Sequence, residues 1–524
     1  MKCERKTFVM KSFGLPRFLR RLLLAAMVTA ALFVFAACGA DDNTGSGSGS
    51  DAGTNENSNQ NSNENGNGNG NSNGNGNSNG NGNTTGEGCV PSGGALGNPT
   101  VTPQSVPTEL LTSEGLAHNT QNEDNSPLRQ WLRPALATSV CGNAGVIYHD
   151  PDLNDLLFLE ISSADATPES IDEAIYWDEA GVGLTYDSEC TALAITMSTN
   201  DGVVVYRREA PGSWTRQTPS ELPSGGSGRL KLFKVHTTAD GRRAVFGYQG
   251  SGESRRDYVW THGNGPAAPW QVTAFTPPVE AEIFDYHLAQ DGVVQAVFPG
   301  ANEYPCNPCD MNLYWSRLEN DDSWTIEEVE GTIWGEPDDR FAEQASLTVR
   351  TDGTPLVAAC WVRRAVTGSL QETALRVYSR RQGEWCFETV ADLQDGYAGG
   401  DGDVFTGHAP QIHLDSNARP FVLFHDRTQW HDGTGANGIV GQPRLAVRSG
   451  DSWQMATLYT QPGQQQSPQP LHGFRHGTLA LFPDGSGAHV AGVEFLWDTD
   501  SIYNQTDAPI TYTLMVHEAT VSWP

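Results

Sequence analysis

Leu347-Thr348-Val349-Arg350-Thr351-Asp352-Gly353-Thr354-Pro355-Leu356-Val357-Ala358-Ala359 reads as two short strands joined by a tight turn. Asp352-Gly353 supplies the positive φ that such a hairpin needs. The flanking runs are apolar and rich in strand-forming residues. Working outward, the same register recurs. Ala239-Asp240-Gly241 and Gln290-Asp291-Gly292 repeat the turn, and equivalent positions fall near Gly142, Ser188, Ala418 and Gly485. A second strand follows each turn, then a third that ends in a charged or Gly-rich turn, then a tryptophan. These tryptophans are Trp214, Trp270, Trp324, Trp385, Trp453 and Trp523. A period of roughly 50–70 residues with about four short strands per unit is the pattern of a propeller blade. Seven units over 129–524 predict an all-β chain folded as a seven-bladed β-propeller.

The last unit stops at Trp523-Pro524, where other units begin a fourth strand. The missing strand is therefore expected from an N-terminal strand, which closes the ring and removes an exposed sheet edge. Gln130-Trp131-Leu132-Arg133-Pro134 resembles Ser213-Trp214-Thr215-Arg216-Gln217 and is the expected donor, with 89–128 read as an irregular lead-in.

Upstream the composition changes twice. Residues 1–37 carry Lys2, Arg5, Lys6, Lys11, Arg17, Arg20 and Arg21, then an apolar run from Leu22 to Ala37, which is the form of a signal peptide. The run ends Phe35-Ala36-Ala37-Cys38-Gly39, which resembles the bacterial lipobox, and the resemblance implies lipidation of Cys38. Acyl chains contribute about 0.8 kcal/mol per buried CH₂, enough for a multiply acylated Cys38 to hold the protein on a membrane. Residues 38–88 are largely Gly, Asn and Ser, too poor in apolar side chains to offset ordering entropy, and read as a disordered tether. The repeat register is similar to the degenerate propellers of bacterial surface lipoproteins. That resemblance implies a cell-envelope location, at the outer membrane or cell surface.

The chain holds 32 basic and 63 acidic residues; without 1–37 it holds 25 and 62. Lys231 and Lys234 are then its only lysines. Such a balance argues against nucleic acid as a partner. The cysteines of an exported chain are expected to pair, and Cys306-Asn307-Pro308-Cys309 is read as a loop disulfide.

Long insertions fall between the second and third strands of a unit and between units, and in a propeller both classes lie at one end. That end is expected to bind, and to carry His149, Asp150, Glu303, Arg363, His425, Asp426, Trp430 and Glu494. The first expectation is a binding module for an extracellular or periplasmic protein or glycan, needing no cofactor. The alternative is a carbohydrate-active enzyme of the glycoside hydrolase or lyase type, with two facing carboxylates such as Glu303 and Glu494. His236, His287 and His413 each sit five residues before their turn, so they are expected at one height around the axis. Three imidazoles there suit packing between blades or a divalent metal. Outside the 38–88 tether the chain lacks the Ser-x-Asp-x-Gly-x-x-Trp motif of sialidases, a Walker loop, Gly-x-Ser-x-Gly and His-Glu-x-x-His.

Overall fold

The computed structural model describes residues 89–90, 97–104, 108–117, 134–150, 155–161, 167–173, 181–198, 202–218, 231–238, 241–250, 254–263, 269–278, 285–300, 309–320, 323–335, 345–364, 370–393, 404–431, 437–458, 471–497 and 508–524. The chain divides into two units, 1–79 and 80–524, and all described residues belong to the second. That unit is a seven-bladed β-propeller of antiparallel four-stranded blades. Blades 1 to 7 span 135–173, 182–217, 231–275, 285–335, 345–393, 404–457 and 471–522. Each innermost strand touches the next, and blade 7 meets blade 1 to complete the ring.

The turns between first and second strands are one structure repeated seven times. Each leaves five residues between the strands. In each, the N–H at the positive-φ position donates to the carbonyl three residues back, as Gly353 does to Arg350 at 2.9 Å and Gly142 to Ser139 at 3.0 Å. This is the type I turn with a G1 bulge. Two blades dispense with glycine, placing Cys190 (φ 63°) and Ala418 (φ 59°) there. Both of those turns begin with an aspartate whose Oδ1 accepts two N–H bonds of the turn: Asp187 from Glu189 and Thr191, Asp415 from Asn417 and Arg419. That extra bonding offsets the cost of a side chain in the left-handed region.

The described core consists of seven apolar clusters, one between each pair of neighbouring blades. Both faces of every blade are therefore buried, which explains why second strands read as continuous apolar runs rather than alternations. In blade 5, Val357 and Ala359 pack toward blade 4, while Leu356 and Ala358 pack toward blade 6.

Trp214, Trp385 and Trp453 clasp the rim. Trp385 Nε1 donates to Glu327 of the preceding blade at 3.2 Å, and Arg380 reaches the same carboxylate at 2.6 Å. Trp453 and Arg448 hold Glu388 in the same way, and Trp214 and Arg208 hold Glu169. Trp324-x-x-Glu327 and Trp385-x-x-Glu388 thus each look backward with the tryptophan and forward with the glutamate.

Ring closure differs from the sequence expectation in its donor. An N-terminal strand does complete blade 7, but it comes from within the expected lead-in. Thr100–Pro103 and Thr108–Ala117 both pair with Ala508–Ser522. Gln130–Arg133, the expected donor, lies outside the described residues. The propeller therefore begins upstream of 129. Among the described residues two disulfides are present, Cys89–Cys386 and Cys141–Cys190, the second joining the neighbouring turns of blades 1 and 2. The expected Cys306–Cys309 pair rests on Cys306, which lies outside the described residues.

Candidate functional site

Strand geometry builds an axial polar cluster from the innermost strands. Residues two apart on a strand share a face. On Lys231–Thr237 and Asp285–Leu288 that rule sets Lys234 with His236 and Asp285 with His287. On Ala345–Val349 it sets Ser346 with Thr348, and on Val404–Leu414 it sets Gln411 with His413. The intervening residues Val235, Tyr286, Leu347 and Ile412 enter the inter-blade cores.

These side chains tie successive blades together. Lys234 Nζ contacts both Asp285 oxygens at 2.9 and 3.0 Å. Asp285 Oδ2 also accepts from Ser346 Oγ at 3.0 Å and Leu347 N at 2.9 Å, and Oδ1 from Tyr286 N at 2.8 Å. Ser346 Oγ accepts from Ile412 N at 3.3 Å, and Gln411 Oε1 from Leu479 N at 3.1 Å. With the Thr185–Thr237 hydroxyl contact, the belt crosses five consecutive interfaces, from blade 2 to blade 7. Asp285 is thus saturated as a strut, and its lone pairs are committed to the fold rather than to proton transfer.

The three histidines do gather as expected. The His236 and His287 rings lie 4.1 Å apart, centroid to centroid. Burial, then the charge of Lys234, then His413, push His236 down to about 3. Burial and Lys234 push His413 down to about 4, with Asp285 opposing. His287 is held well below its ordinary value by burial, His236, Lys234 and His413. The trio is therefore neutral at physiological pH, each ring carrying one N–H donor and one acceptor nitrogen. Among the described residues, no group of three or more His, Cys, Asp or Glu side chains is arranged to hold a metal ion.

The other expected site residues are spread along the ends of the second strands. His149 and Asp150 end the strand Ala144–Asp150, buried, and the Asp150 charge adds to burial in raising the Tyr148 phenol to about 12. His425 occupies the equivalent place in blade 6 and is also buried. Beside it, Asp426 accepts from Thr406 Oγ1 at 2.5 Å and Arg444 Nη1 at 2.9 Å. His149 and His425 thus share a level but lie two blades apart. Arg363 pairs with Glu372, Trp430 with Gly438, and Glu494 with Phe474 and Thr513. All three lie on second strands, toward the end where those strands lead into the long connections. Glu303 lies outside the described residues.

Sequence reasoning found the histidines but missed Lys234, Asp285, Ser346 and Gln411. Stepping two residues back from each turn-aligned histidine would have found the Lys, the Asp and the Gln, because the period of a strand is two.

No family model and no curated protein matches the chain. Among solved structures it is similar to an arginine-to-alanine variant of AofleA from Arthrobotrys oligospora, with 12% identity, 67% of this chain and 90% of that chain covered, and a TM-score of 0.35. It is also similar to a variant of the Aleuria aurantia lectin in complex with Fucα1-6GlcNAc (11% identity, 64% and 98% covered, TM-score 0.36). A third is an α-L-arabinanase of Penicillium chrysogenum complexed with arabinobiose (11%, 61% and 94%, TM-score 0.34). At TM-scores this low the likeness carries no functional argument, and the propeller assignment stands on the strand pairing itself.

Proposed function

We propose that this chain is a lipid-anchored cell-envelope propeller that binds a protein or glycan partner through its loop-rich end. One observation carries the reading: the two ends of the ring are built differently. At one end all seven first turns leave five residues between strands, and the third-to-fourth turns leave two to eight. At the other the connections vary, from three residues between Ser198 and Gly202 to ten between Trp497 and Ala508 and thirteen between Thr457 and Leu471. Uniform turns serve the scaffold, whereas variable insertions gathered at one end are where propellers and other repeats place recognition.

The test is a glycan array and an envelope-extract pull-down with residues 89–524, followed by Trp430→Ala at the loop-rich end and Asp352→Ala at the turn end. Binding should fall at least tenfold with the first change and stay constant with the second, because aromatic anchors carry a large share of contact energy. Loss with Asp352→Ala alone would reverse the assignment of the binding end. The anchor is tested separately: Cys38→Ser should release the protein from membranes or block its maturation, and correctly processed Cys38→Ser protein retained on membranes would remove it.

A further inference from the structure

The chain enters the propeller in an unusual order. Cys89, the first described residue, is bonded to Cys386, near the start of the outer strand Glu384–Leu393 of blade 5. Val90 is fully buried in the core between blades 5 and 6, and its N–H donates to Glu388 at 2.9 Å. Gly97 and Asn98 then meet Ser449 and Ser452 at the outer turn of blade 6, at 2.9 and 3.0 Å. Only after that do Thr100–Pro103 and Thr108–Ala117 climb blade 7 and close the ring. The described residues before 118 thus form a strap across three blades. Cys386 follows the turn at Gln382-Gly383, so the strap begins at the turn end, and the loop-rich end faces away from the point of entry.

We propose that the Cys89–Cys386 bond is a load shunt, which passes tension arriving from the N-terminal side directly into blade 5 and keeps it off the strands that close the ring. Without the bond, a pull on residue 89 acts at the free end of the strap. It would detach Val90, then the contacts of Gly97 and Asn98, then the pairs from Thr100–Ser522 onward, one at a time. Sequential peeling of single hydrogen bonds is the weak direction of a strand, because each bond contributes only about 1 kcal/mol net. Losing those pairs would open blade 7 and with it the ring. With the bond in place the covalent path leaves the strap at its first residue and re-enters the chain 297 positions later. Blades 1 to 4 and the closing strands then lie off the load path.

The source of tension rests on the lipid-anchor reading, but the shunt is measurable without it. The full mature chain is held in optical tweezers by handles near residue 40 and after Pro524. Oxidised protein should show no early step that releases residues 89–117, and complete unfolding should add roughly 480 Å, the span of residues 386–524 at about 3.5 Å per residue. The Cys89→Ala/Cys386→Ala variant should first release residues 89–117, about 100 Å, at a clearly lower force, and extend to roughly 1,350 Å in all, because Cys141–Cys190 still locks 49 residues. If the variant folds poorly, reduction of the already tethered wild-type molecule gives the same comparison. An early step of about 100 Å in the oxidised protein overturns the proposal. So does the absence of the early step of about 100 Å from the variant. Membrane release by Cys38→Ser bears on the anchor alone and leaves this outcome unchanged.

Discussion

Acidification should loosen the ring through its axial histidines. His236 and His413 are held at about 3 and about 4, and His287 well below its ordinary 6.5, in each case chiefly by burial. Below pH 6.5 the unfolded chain takes up protons at these three positions while the folded ring does not. Stability is therefore complete above about pH 6.5 and falls as pH drops toward the folded values. Each imidazole contributes at most about 1.4 kcal/mol per pH unit, approached only below the unfolded value, so the trio should cost about 5 kcal/mol between pH 6.5 and pH 5. That is a large part of the 5–15 kcal/mol typical of folded domains. His489, lowered to about 4 by burial, adds a fourth share. The assay is urea unfolding of residues 89–524 at about pH 7 and about pH 5, a window above most carboxylate titration. The triple variant His236→Gln, His287→Gln, His413→Gln should lose less than half of what the wild type loses, because His489 and His262 remain among the histidines lowered by burial. An equal loss in the triple variant would refute the assignment of the acid response to the axis.

Three further outcomes follow from named contacts. A chain beginning at residue 118 should be far less stable than one beginning at residue 89, because it lacks buried Val90 and the pairing of 100–117 with blade 7; side-chain burial alone is worth about 1.5–3 kcal/mol per large apolar residue, and equal melting temperatures would contradict closure by these strands. Glu388→Ala should cost about 3–5 kcal/mol by denaturant titration, because it strands Arg448, 1% exposed and bonded to that carboxylate at 2.7 Å; a loss below about 1 kcal/mol would reduce the rim clasp to an ordinary surface pair. Ala418→Gly should raise stability, and Gly353→Ala lower it, each by about 1 kcal/mol, since both positions hold a positive φ; the same sign for both changes would show that backbone strain does not decide there.

Local chemistry made much of the fold readable. The Asp-Gly turns, the apolar second strands and the tryptophan register are all short-range signals, and together they set the blade, the count of seven and the need for a closing strand. They also placed three histidines at one height, because equal distance from an equal turn means equal height in a ring. Tertiary structure decided whatever depends on which distant segments meet. Gln130–Pro134 looked like the closing strand by its resemblance to a neighbouring unit, yet Thr108–Ala117 pairs with Ala508–Ser522. A strand signal describes a strand's own conformation and says nothing of its partner. Cysteine spacing likewise did not reveal that Cys89 would find Cys386 across 297 positions, because a disulfide records proximity in space. Lys234, Asp285 and Ser346 looked unrelated in the chain, separated by about 50–60 residues. Only the circular stacking of blades, driven by burial of both faces of every sheet, makes them neighbours around one axis.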